Sequence, residues 1–455
     1  MLDRVIQNAI LVTPDSMARG AVGMQNGKIA EIRRDGHFSE TEFRDAVDAQ
    51  GKLLYAGFID THVHLNDPGF TWREDFAHGT RAAAVGGVTT VIDMPLQNEP
   101  AVRDTAILRQ KERYLQGKAY VDYACWGAML PDNTGRLREM HEAGAVAFKA
   151  FFAPVSPDYT PVTAYDIRQS LGALAAFDGL AGLHCEDYAI IRGEQARAVA
   201  ESRAGARDFL DARPVSAEHI AVEAVLALAE EAGARVHICH VSHPEVAERI
   251  RQAKARGVRV TAETCPHYLV FDEHNVLEGG TVFKCAPPLR RAEDAARLWG
   301  YVLDGTLDCV CSDHSPCAPA EKQSGKNGFF DAWGGLSGIQ TTAQVFFDAL
   351  VHQRRQSPTH VARVMAQRPA QIFGLDHRKG SLAVGMDADL TLMDPEQPWE
   401  VTAASLQYLH PVSAFIGCKG RGCPVLTLLR GEVVAKDGIP ITGEQGRGAR
   451  VSPEV

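Results

Sequence analysis

The chain is short of several things, and each shortage narrows what it does. It has no apolar run long enough to span a bilayer. Its opening residues, Met1-Leu2-Asp3-Arg4, lack the basic segment and apolar core of a secretory leader. No Lys/Arg-rich run interrupts it, and the formal net charge of -10 argues against a nucleic-acid partner. No GxGxxG stands between a strand and a helix, so a dinucleotide fingerprint is missing. There is no repeat and no low-complexity tract. Ten cysteines in 455 residues are too few for a disulfide framework. Several lie in apolar runs and read as free thiols in a reducing cytoplasm. Cys418 and Cys423 resemble half a zinc site, but no second half exists, so they read as a glycine-rich turn.

What is present is an alternation of strand-like and helix-like segments. Apolar runs at 59–64, 89–94, 121–126, 146–151, 181–184, 236–242, 259–263 and 309–313 read as strands. Helical patterns fall between them, notably 217–232 and 244–255, with 80–85 inside another. Eight strands at a βα rhythm predict an α/β protein built on a (β/α)8 TIM-like barrel over 57–379, with a doubly wound open sheet as the alternative. Both ends, 1–56 and 380–455, read as short strands with turns. Neither has enough apolar surface to fold alone, which predicts one small β-sandwich made from both termini.

Ligand-type residues interrupt the apolar runs. In Phe58-Ile-Asp-Thr-His-Val-His64, strand alternation puts His62 and His64 on one side and Thr61 and Val63 on the other. Two imidazoles on one side can close on a metal ion. Further strand ends carry His184, His240 and Asp313. Catalytic groups of a barrel gather at those ends. Taken singly, a strand-end histidine is usually a satisfied core residue. Lys149, amid Phe148, Ala150 and Phe151, is harder to dismiss. An ammonium there is costly unless it is paired, snorkelled or neutral. A neutral amine can take up carbon dioxide as a carbamate whose two oxygens bridge two cations. By the same alternation His237, three residues before His240, falls on the opposite side and reads as structural.

The order and spelling of these segments resemble the amidohydrolase superfamily, in its branch of allantoinases, dihydroorotases and hydantoinases. The resemblance rests on Gly57-Phe-Ile-Asp-Thr-His-Val-His-Leu-Asn-Asp-Pro-Gly69, Phe148-Lys-Ala-Phe151, His184-Cys-Glu186, His237-Ile-Cys-His-Val-Ser242, Glu263-Thr-Cys-Pro-His-Tyr268, Lys284-Cys-Ala-Pro-Pro-Leu-Arg290, Cys311-Ser-Asp-His-Ser-Pro316 and Lys379-Gly-Ser-Leu-Ala-Val-Gly-Met-Asp-Ala-Asp389. It implies a binuclear centre. His62, His64 and Asp313 would hold one divalent metal, His184 and His240 the other, and carbamylated Lys149 would bridge them. Zinc is the first choice, with iron, manganese or cobalt as alternatives. His267 and His314 look like partners that orient ligands, or like core packing. Asp313 would move the proton during hydrolysis of a cyclic amide.

The substrate follows from positions outside the metal set. Where dihydroorotase-like sequences place arginine after the second metal histidine, asparagine before the Pro-Pro pair and histidine four residues after the catalytic aspartate, this chain has Asn66, Ala286 and Cys317, so a carboxylate grip is missing. The hydantoinase-like tyrosine is not in the loop directly after Lys149; Tyr159 comes later. His64-Leu-Asn-Asp-Pro-Gly69 and Ala332-Trp-Gly-Gly-Leu-Ser-Gly338 fit the allantoinase pattern. The implied substrate is a small uncharged cyclic ureide, allantoin, within purine catabolism. Asn66, Gln97, Asn98 and the backbone near Cys285 and Gly335 are the candidate contacts. Departures are Pro-Leu-Gln-Asn at 95–98 and the dihydroorotase-like Trp72-Arg-Glu-Asp-Phe76. A homo-oligomer, dimer or tetramer, is implied as well. The rivals are a scaffold relative without metals and a hydrolase of acyclic or isoaspartyl amides.

Overall fold

The computed structural model describes residues 1–153, 155, 159–323, 325–441, 443 and 445–453. Eight parallel strands occupy the expected runs: β1 (Phe58–Val63), β2 (Val88–Asp93), β3 (Asp122–Cys125), β4 (Phe148–Phe151), β5 (Leu180–His184), β6 (Arg235–Ile238), β7 (Val260–Thr264) and β8 (Cys309–Val310). β1, β2 and β3 pair in turn. Gly127–Ala128, just beyond β3, hands the sheet on to β4. β4 to β8 then pair in chain order. A parallel bridge from Val63 to His314 closes the ring. Every residue of β1, β2, β4 and β5 is buried. Barrel strands face a packed interior on one side and helices on the other, so they read as continuous apolar runs.

The outer helices include Phe76–Val85, Val215–Ala232 and Pro244–Ala255. The second ends on Gly233 at φ 63°, a left-handed cap that glycine adopts without strain. The third starts with proline in its first turn, where no N–H is needed. No described helix is long and apolar enough to cross a membrane.

Both chain ends meet in one nine-stranded sheet. The N-terminal part supplies Leu2–Val12, Met17–Gln25, Lys28–Arg34, Phe43–Asp48 and Leu53–Ala56; the C-terminal part supplies Leu390–Glu400, Lys419–Leu429, Glu432–Lys436 and Ile439–Pro440. The two halves join where Leu53–Ala56 pairs antiparallel with Leu390–Glu400. Ile6, Leu11, Val22, Leu54, Leu390 and Leu428 share the core of this β-sandwich. The apolar runs at 5–6 and 10–12 belong to a single strand. Its register shifts between Ile6 and Ala9, and Asn8 takes φ 56°, so a bulge interrupts the alternation.

The barrel and this sheet are joined through buried charge. Lys379 Nζ lies 2.6 Å from Asp122 at the start of β3, 2.9 Å from Asp387, and also bonds Asp389. Arg430 completes the group on Asp122. Two stretches of the C-terminal part leave the sheet and lie on the barrel. In one, Leu409 N donates to Glu74 (3.1 Å) and His410 Nε2 lies 2.8 Å from the Trp72 carbonyl. In the other, Tyr123 N donates to the Ala449 carbonyl (3.0 Å) and Val451 N to that of Tyr123 (2.8 Å).

Candidate metal centre

The strand ends bring the ligand-type residues to one mouth of the barrel. His62, His64 and Asp313 converge with their ligand atoms within 4.8 Å of one another. Asp313 Oδ1 lies 3.3 Å from His62 Nε2 and 3.5 Å from His64 Nε2. Next to them, His184 Nδ1 and His240 Nε2 face each other at 3.1 Å. The rings of His62 and His240 are 5.3 Å apart, which joins the two groups. Asp313 and His240 both adopt positive φ, 45° and 38°, where the chain turns out of its strand. Strain of this kind gathers at sites that must aim a side chain.

Lys149 lies beneath this mouth on β4. It is 0% exposed, and its Nζ makes no hydrogen bond. The ring of Phe151 is 5.0 Å away. The donor set fits divalent cations: imidazole nitrogens, one carboxylate, and an amine able to become an anionic oxygen donor.

Two of the histidines are held by buried carboxylates. His62 Nδ1 lies 2.5 Å from Glu263 Oε1, which leaves Nε2 for the mouth. His184 Nε2 lies 2.8 Å from Glu186 Oε2, which leaves Nδ1 for it. Glu186 is in turn paired with Arg213. Such partners fix the tautomer and orientation of a ligand. Neither glutamate was singled out by the sequence reading. The signal that marks Lys149, a charged residue inside a buried strand run, also applies to Glu263 in Val260–Thr264.

Burial, then the charge of Lys149, pushes His62 down to about 4, and burial with His184 pushes His240 well down. Both imidazoles are therefore neutral near neutral pH, with lone pairs free for a cation. Burial opposes the charged form of Asp313, but His62, His64 and His240 outweigh it and hold the carboxyl well below its usual range. Burial likewise opposes Glu186, and Arg213 brings it to about 2.

The strand alternation expected at β1 and β6 is broken. Register shifts at 60–63 let Thr61 turn inward, and its hydroxyl donates to Glu263 Oε2 at 2.8 Å. β6 ends at Ile238, so His237 shares the interior with the ligands rather than facing away from them. Its Nε2 is 3.1 Å from Glu263 Oε2. His267 and His314 are buried beside the site, and burial lowers them to about 4 and about 3. His314 Nδ1 accepts from Gly338 N at 3.2 Å, and its carbonyl accepts from His64 N at 2.8 Å.

The candidate substrate contacts divide. Asn66 (φ 58°) and Gln97 (φ 57°) each bury a side-chain oxygen with no partner. Asn98 is otherwise engaged: its Nδ2 donates to the Met94 and Leu96 carbonyls, and its Oδ1 accepts from Lys111 at 2.6 Å. Those bonds brace the loop. Cys285 is buried, and burial raises its thiol to about 12. The Gly335 carbonyl accepts from Lys322 at 2.7 Å. Tyr159 is buried, donates its hydroxyl to the Lys149 carbonyl, and packs edge-on to Phe151 with ring centroids 5.5 Å apart.

Comparison with known proteins agrees with this geometry. The amidohydrolase family model matches residues 53–434. The allantoinase of Salmonella choleraesuis (strain SC-B67) is 37% identical over 448 residues, 96% of this chain and 97% of its own. That of Salmonella newport (strain SL254) matches with the same identity and coverage. Among solved structures, the L-hydantoinase (dihydropyrimidinase) from Arthrobacter aurescens superposes with a TM-score of 0.96 at 33% identity, covering 99% of this chain and 100% of that one.

Proposed function

This chain belongs to the amidohydrolase family, and from that membership we propose that it hydrolyses the cyclic amide bond of allantoin to give allantoate. The observation that carries the reading is the convergence of His62, His64, His184, His240 and Asp313 above a buried Lys149 whose amine has no partner. His62, His64 and Asp313 would hold one divalent ion and His184 and His240 the other, with Lys149 between them as its carbamate. Zinc is the first choice of metal, and iron, manganese or cobalt also suit these donors. Divalent ions held there would supply Lewis-acid polarisation of a ring carbonyl and a water of lowered pKa.

The protein's own part is to orient the ring and move one proton. Asp313, held in its charged form, takes the proton released as the water oxygen joins the carbonyl carbon. It returns that proton to the ring nitrogen as the C–N bond breaks, base first and acid second. Asn66 and Gln97 offer neutral oxygens, which suit the N–H groups of an uncharged ureide. A carboxylate on the substrate would find Asn66 where a guanidinium is needed. A second reading is favoured by Tyr159, whose hydroxyl lies against the backbone of Lys149. That position suits 5-substituted hydantoins, and the Arthrobacter structure bears the corresponding name. We also place the protein in the cytoplasm as a homo-oligomer, a setting that suits ten free cysteines, eight of them buried.

The test is a substrate panel with protein supplied with zinc, manganese or cobalt. Racemic allantoin, 5-substituted hydantoins and dihydroorotate are compared by kcat/KM. Allantoin is expected to lead and dihydroorotate to fail. No hydrolysis of any of the three would remove the proposal. In parallel, Lys149→Ala is expected to lose activity and to regain part of it with added short carboxylic acids.

A further inference from the structure

We propose that Glu263 is a positioning residue of the metal centre, the one group that presents His62 to a cation through Nε2. The proposal rests on the metal-hydrolase reading above. Glu263 is the penultimate residue of β7 and is 0% exposed. Among the described residues its ion-pair partners are two histidines and no lysine or arginine. One oxygen accepts a hydrogen bond from His62 Nδ1 at 2.5 Å. The other accepts the Thr61 hydroxyl at 2.8 Å and lies 3.1 Å from His237 Nε2. Hydrogen bonds at both oxygens, to His62 and to Thr61, restrain the carboxylate and with it the ring it holds.

The consequence for His62 is chemical. With its proton committed to Nδ1, the lone pair must sit on Nε2, the nitrogen 3.3 Å from Asp313 Oδ1. His64 has no such anchor, since its Nδ1 is buried without a hydrogen bond. Of the β1 pair, orientation therefore depends on Glu263 through His62. Charge points the same way. Two divalent ions bring four positive charges into a dry interior, and Asp313 with a Lys149 carbamate supplies two negative ones. Glu263 adds a third from outside the ligand set, and buried charge left uncompensated is costly.

The experiment compares wild type, Glu263→Gln, Glu263→Asp and Thr61→Val. Each is titrated with zinc against a competing chelator and read by elemental analysis. The absorption spectrum of each cobalt-loaded protein is recorded, and kcat and KM are measured separately. Glu263→Gln is expected to lose about 10–100-fold in affinity for one of two metal equivalents. Its cobalt bands should shift, and kcat should fall with KM little changed. Glu263→Asp should recover part of each, and Thr61→Val should move each in the same direction by a few-fold. A residue that only supports the fold would lower stability and leave the metal affinities and cobalt bands as they were. Should Glu263→Gln not fold, Thr61→Val decides, and wild-type affinity with wild-type bands in that variant overturns the proposal. Wild type that binds no metal would instead overturn the hydrolase reading on which it stands.

Discussion

Replacing Lys149 by methionine separates two descriptions of its amine. Methionine keeps the length and nearly the volume of the side chain while removing the nitrogen. In metal-free protein the amine is fully buried, makes no hydrogen bond, and lies 5.0 Å from the ring of Phe151. A cation over a ring recovers about 0.5–2 kcal/mol, whereas desolvating an ion costs several kcal/mol. The metal-free variant should therefore be more stable than metal-free wild type by about 1–4 kcal/mol. Metal reverses the order. A ligand at a thousandfold excess over its Kd stabilises by about 4 kcal/mol per site. On the proposed binuclear reading wild type should gain this for both ions, and the variant, without bridging oxygens, much less. The assay is denaturant unfolding of chelator-treated and zinc-loaded samples of both proteins, at one protein concentration. The reasoning is refuted if the metal-free variant is the weaker of the two and zinc stabilises both equally. That result would make Lys149 an ordinary packing residue.

Asp313→Asn keeps the shape of the side chain but cannot carry a proton between water and ring nitrogen; kcat for allantoin should fall by at least about 10²–10⁴-fold, measured by allantoate release beside metal content. Lys379→Met leaves Asp122, Asp387 and Asp389 facing one another in a buried joint, and unfolding experiments should register a loss of about 3–5 kcal/mol. The same joint sets an acid limit. Burial opposes the charged form of Asp387, but Lys379, Lys28 and Arg378 bring its carboxyl to about 2. A depressed carboxylate stabilises the fold fully above its unfolded pKa, near 3.9, and the contribution is lost as pH falls through 2. Stability of wild type should decline between about pH 4 and pH 2, and in Lys379→Met that decline should be shallower.

Chain order alone located all eight barrel strands, because a strand buried on both faces must be written as an apolar run and its end is where polar residues reappear. It also picked out the side chains that converge at the barrel mouth, because His62, Lys149, His184, His240 and Asp313 are each a polar break in such a run. The partner of His62 is another matter. Glu263 lies 201 positions away in sequence, and only the closing of the ring brings β7 against β1. Asn98 shows the converse: next to Gln97 it looked equally available, yet Lys111 and two carbonyls had already taken its amide. The inward turns of Thr61 and His237 escaped a period-2 reading because β1 shifts register around Thr61, and β6 ends at Ile238, before His240. Local pattern is set by what each segment must bury, and it can be read along the chain. Which buried polar groups pair, and which stay free for a ligand, is set by distances between segments, and those exist only once the barrel has closed.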